Sequence, residues 1–123
     1  MIFKMFRVTA LMLLAGATPA LAGMADVEGV EVSKDGNGYR FSVTVRHADE
    51  GWEHYADKWE VIGQDGVIYG ERVLLHPHVD EQPFTRSQSG IAVPEGVSEV
   101  IVRARDKLHG WGGAEMTVRL PDR

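Results

Sequence analysis

With no cysteine in 123 residues, the side chains able to do chemistry here are five histidines and the carboxylates near them. Two of the histidines stand in the run Leu74-Leu75-His76-Pro77-His78-Val79-Asp80-Glu81-Gln82-Pro83-Phe84. Proline biases the residue before it toward extended backbone, so His76 and Gln82 are expected outside any helix. Side chains two apart on an extended run share a face, whereas a polyproline II course would splay the two rings. Imidazole is a ligand for Zn²⁺ and Cu²⁺, and two or three imidazoles with a carboxylate make a complete set of protein donors. The pattern therefore predicts a divalent transition-metal site with His76 and His78 as core ligands. His47, His54 or His109 would add a further imidazole, and Asp80 or Glu53 the carboxylate. Zinc and copper both accept this set, and no thiolate is present to choose between them. The plainer alternative is that the rings hydrogen-bond loop backbone and pack against Trp52 and Trp111.

These residues must be held by strands. Tyr39, Phe41, Val43 and Val45 alternate with Arg40, Ser42, Thr44 and Arg46, the period of a half-buried strand. A weaker alternation over Val27–Val32 precedes it, across the reversal Lys34-Asp35-Gly36-Asn37-Gly38. Lys58–Ile62 is a third strand ending at Gly63-Gln64-Asp65-Gly66, and Val67–Leu75 a fourth, in which Gly70 marks a bulge. Phe84–Val93, Val97–Asp106 and Met116–Leu120 complete seven. Such spacing predicts an all-β, seven-stranded antiparallel sandwich of immunoglobulin-like or fibronectin type III-like style. Its expected core is Phe41, Val43, Val45, Trp59, Val61, Val100, Val102 and Val118. If successive connections alternate between the two ends, the turns at 33–38, 63–66 and 94–96 share one end and the loops at 47–57, 76–83 and 107–113 the other. All five histidines then fall at that second end, with Trp52, Tyr55 and Trp111. A split of the fourth strand at Gly70 would reverse the parity of every later loop.

The opening residues, Lys4 and Arg7 around a short apolar run and then Ala20-Leu21-Ala22, have the layout of a secretory signal peptide. Cleavage between Ala22 and Gly23 is expected, leaving residues 23–123 as one sandwich domain exported to the periplasm. The apolar run is well short of the roughly 20 residues that span a bilayer, so no membrane insertion is expected after processing. Losing residues 1–22 moves the net charge from −5 to −7, which makes nucleic acid and anionic lipid poor partners. Catalysis is not expected. Ser87 and Ser89 lack a nucleophile elbow, and Asp80 and Glu81, adjacent on extended chain, point apart. A second reading takes Trp52, Tyr55 and Trp111 as flat anchors for a protein or glycan partner.

The run from His76-Pro77-His78 through Glu81-Gln82-Pro83-Phe84-Thr85-Arg86-Ser87, with His109-Gly110-Trp111-Gly112-Gly113, resembles short exported bacterial proteins of unassigned function. That resemblance implies export and names no activity. Size, leader and sandwich are also similar to periplasmic copper-resistance carriers of the CopC type, whose mature chain begins with a ligating histidine. Here the mature chain would begin Gly23-Met24-Ala25, so that ligand is missing.

Overall fold

Alternation carries over directly into three dimensions. The computed structural model describes residues 23–123, and the expected signal peptide lies outside them. Seven strands form: β1 (Asp26–Asp35), β2 (Gly38–Arg46), β3 (Ala56–Ile62), β4 (Ile68–Val73), β5 (Phe84–Ile91), β6 (Glu99–Asp106) and β7 (Met116–Arg119). They build two antiparallel sheets, one ordered β1-β2-β5 and the other β4-β3-β6-β7, and no helix occurs among the described residues. Phe41, Val43 and Val45 of β2 face Val100, Val102 and Ala104 of β6 across a core that also holds Trp59, Val61 and Leu120. Val118, expected in this core, packs against it only partly buried. On its outer face the first sheet is laced by hydroxyl pairs, Ser42 with Ser87 at 2.6 Å and Thr44 with Thr85 at 2.7 Å. Ser87 is therefore a sheet residue, and Ser89 accepts from Arg40 on the same face.

Gly70 does not split its strand. β4 stays continuous while the register steps from Val61 opposite Gly70 to Ile62 opposite Ile68, which leaves Tyr69 as an extra residue. A Cβ at Gly70 would lie 2.8 Å from Ile91 Cγ1, so the missing side chain lets β5 of the other sheet close over β4. Loop parity consequently survives, and the connections after β2 and β6 meet at one end.

The two inward rows do not stop at the last aliphatic residue. In β2 the buried positions continue past Val45 to His47, and in β6 past Ala104 to Asp106. Each sheet thus ends its core-facing row in a polar side chain at the same end.

Candidate metal centre

His47 and Asp106 are both fully buried, and His47 Nε2 lies 2.5 Å from Asp106 Oδ2. The other ring nitrogen of His47, Nδ1, donates to Asp49 Oδ1 at 2.5 Å. Asp49 is itself fixed by backbone donors, Ala56 N to Oδ1 at 3.1 Å and His78 N to Oδ2 at 2.6 Å. From the loop between β2 and β3, His54 repeats the arrangement: Nδ1 donates to Glu50 Oε1 at 2.6 Å and Nε2 reaches Asp106 Oδ2 at 2.7 Å. His109, in the loop after β6, brings Nδ1 to 3.1 Å from the same oxygen. The three rings meet edge to face, with His47–His54 centroids 4.8 Å apart and His54–His109 4.9 Å.

Asp106 can serve three histidines because its two oxygens divide the work. Oδ1 accepts from Leu108 N at 2.5 Å and His109 N at 2.9 Å, which curls the chain back and places the His109 ring. The turn closes through paired backbone bonds between Asp106 and Gly110, the latter at φ 79° where glycine is unstrained. Oδ2 is left to face the imidazoles.

Charge follows from this geometry. Burial works against a charged His47, but hydrogen bonds to Asp49 and Asp106 outweigh it and hold the ring's pKa up to about 9. Glu50, then Asp106, raise the pKa of His54. Asp106 is pushed upward by burial, yet donors from the backbone and rings of its neighbours, His109 first, carry it below the usual carboxylate range. Asp49 is lowered in the same way, against burial, by His47 and by the backbone of His78 and Ala56. Without an ion, the raised proton affinity of His47 and His54 offsets part of the negative charge of Asp49, Glu50 and Asp106. A divalent cation would bring the two positive charges that those imidazole protons otherwise carry. His47, His54 and Asp106 offer ligand atoms all within 4.8 Å of one another, close enough to hold one. Bonds of about 2.0–2.1 Å in a tetrahedral shell put donors about 3.3 Å apart, so the present spacings of 2.5 and 2.7 Å to Asp106 would have to open by about 0.6–0.8 Å to admit an ion. Asp49 and Glu50, each bonded to the outer nitrogen of a histidine, stand where carboxylates orient metal-ligating imidazoles.

The other expected ligands lie elsewhere. His78 is buried, its ring stacked on Phe84 at 3.9 Å and 11°, and its Nε2 accepts from Arg86 at 2.9 Å. That guanidinium occupies the lone pair a metal would need. Burial, then Arg86 and His76, lower the pKa of His78, so this ring is kept neutral. His76 is exposed, 4.6 Å from His78 between ring centroids, with Nδ1 on the carbonyl of Pro77. Asp80 and Glu53 are exposed. The structure thus brings together His47, His54 and His109 and leaves the His76–His78 pair outside, joined to the cluster through Asp49 and Gln82. Gln82 accepts from His47 N and donates to the carbonyl of His78, each at 2.9 Å. Asp106, Asp49 and Glu50 were not anticipated, although Asp106 sits three residues before His109 and ends an alternating row.

Nor do the aromatics form one surface. Trp52 is 62 % exposed and meets Tyr55 edge to face at 5.9 Å, with Lys107 binding the Trp52 carbonyl at 2.8 Å. Trp111 instead lies on the outer face of the second sheet, flat beneath the Arg103 guanidinium at 4.1 Å.

Fold and site together define a small all-β sandwich that closes one end of its core with a buried histidine–carboxylate cluster. No family model and no solved structure matches the chain. A protein of Halomicrobium mukohataei named "Putative lipoprotein" is 48 % identical over 86 residues, covering 70 % of this chain and 42 % of its own length. The chain therefore spans less than half of that relative.

Proposed function

We propose that this is an exported, non-catalytic protein that binds one divalent transition ion, Zn²⁺ or Cu²⁺, through His47, His54 and Asp106, with His109 at the solvent side. One observation carries the reading: two buried or half-buried imidazoles, each with its outer nitrogen on a carboxylate, aim their inner nitrogens at one carboxylate oxygen. Export to the periplasm, with cleavage between Ala22 and Gly23, is part of the proposal and is supported by the leader-like opening residues, while the relative's lipoprotein name supports export alone.

Calorimetric titration of chelator-stripped protein with Zn²⁺ and with Cu²⁺ tests it. One ion per chain is expected, lost in His54→Ala and retained when His76 and His78 are both changed to Ala. No heat beyond dilution, or equal binding by His54→Ala, would sink the metal reading. The exposure of Trp52, which meets Tyr55 edge to face, favours a second reading, a surface for a protein or glycan partner. Retention of partner binding after chelation, with loss in Trp52→Ala, would select it.

A further inference from the structure

The Asp106 oxygen is not the only acceptor at the centre of the cluster. The carbonyl oxygen of Gly23 lies 3.1 Å from His47 Nε2, 3.1 Å from His109 Nδ1 and 3.4 Å from His54 Nε2. These are the same three nitrogens that face Asp106. Standard bond lengths place a residue's own nitrogen about 2.7–3.6 Å from its carbonyl oxygen, so Gly23 N stands at the edge of the site.

This segment is held there by backbone. Val27 N donates to the carbonyl of Ala114 at 2.8 Å, and Ala114 N to Asp26 Oδ1 at 2.8 Å. Gly113 lacks the Cβ that would overlap the Ala25 carbonyl, which lets the first strand press against the last loop. Glycine also suits position 23 itself, where a Cβ would come 3.0 Å from His109 Cε1 and push that ring aside.

While residue 22 is attached, Gly23 N is an amide whose lone pair is delocalised into the peptide bond, and it makes a poor ligand. Cleavage after Ala22 would turn it into a primary amine. With its own carbonyl oxygen it could then close a five-membered chelate ring on an ion held by the histidines. We propose that the amino terminus created at Gly23 is itself a ligand, so that removal of the leader completes the metal site and the precursor carries an incomplete one. The proposal rests on the metal reading above. An added amine shifts the donor set toward nitrogen and so toward Cu²⁺, which heads the divalent affinity order.

The test expresses the full chain for export and purifies the processed product beside a variant with Ala-Ser inserted between Ala22 and Gly23. Intact mass defines the first residue of each, and far-UV dichroism checks that both fold. Each is stripped and titrated with Cu²⁺ alone. The native form should bind at least about tenfold more tightly, beyond what loss of an outer hydrogen-bond partner typically costs at the low end. Its bound Cu²⁺ should also absorb at shorter wavelength, because a nitrogen replaces a weaker oxygen donor. Equal affinity with an unchanged band would overturn the amino-terminal ligand and leave the metal reading standing. Absence of binding to either form would overturn both. A native product beginning at a residue other than Gly23 would overturn the amino-terminal ligand.

Discussion

Two groups of histidines share one end of this sandwich and have opposite surroundings. His47 and His54 are ringed by Asp49, Glu50 and Asp106, and their pKa values are raised. His78 lies on Phe84 beside Arg86, and its pKa is lowered. The groups are only a few side chains apart, since Asp49 binds the ring of His47 and the backbone of His78. The partner on the outer nitrogen, rather than spacing in sequence, decides what an imidazole can do. A carboxylate there makes the inner nitrogen a better donor to a cation, whereas a guanidinium removes the lone pair.

Removing the shared carboxylate should break this contrast most severely. Asp106→Ala takes the acceptor from three rings and from two backbone donors, and should cost about 3–5 kcal/mol in urea melts of ion-free protein, as loss of one partner of a buried charge pair does. Asp80→Ala, on the surface, should stay within about 0.5 kcal/mol. A loss under about 1 kcal/mol for Asp106→Ala would mean the cluster is not coupled.

Next in size is the response to metal. At an ion concentration a hundredfold above the dissociation constant, binding to the folded state should stabilise by about 2.7 kcal/mol. The double change of His76 and His78 to Ala should keep that increment, and His47→Ala should abolish it. Reversal of these outcomes in thermal melts would move the site to the other histidine pair.

The two groups should also respond to pH with opposite sign. His47 binds its proton more tightly folded than unfolded, so its contribution to the ion-free protein is complete below about 6.5 and fades as pH rises through about 9. His78 prefers to be neutral when folded, so its contribution is present above 6.5 and is lost as pH falls through its lowered pKa. Imidazole proton resonances report this directly: His47 should remain charged at pH 8, while His78 should be more than half neutral at 6.5. Because a metal must displace the His47 proton, affinity should rise with pH over the same range.

The smallest effect should be at His76, whose exposed ring touches mainly its neighbour His78. His76→Ala should change stability by no more than about 0.5 kcal/mol and leave metal binding intact. A larger effect in either assay would show that the exposed histidine belongs to the site.

Strand identity, the inward rows and the gathering of the histidine-bearing loops at one end were legible in the sequence, because a pleated strand sends alternate residues to opposite faces whatever lies beyond it. The same rule, carried one step past Val45 and past Ala104, reaches His47 and Asp106 and marks both as core-facing. Which loop side chains would close over them was not legible. His54, His109 and Gly23 meet at this point across separations of 31 to 86 residues, and such meetings depend on how the two sheets stack. The fate of the His-Pro-His run also depended on stacking. In sequence it has the look of a ligand pair, but β5 brings Phe84 under one ring and Arg86 onto its free nitrogen. Only packing between segments distant in the chain could assign one group of imidazoles to carboxylates and the other to an arginine.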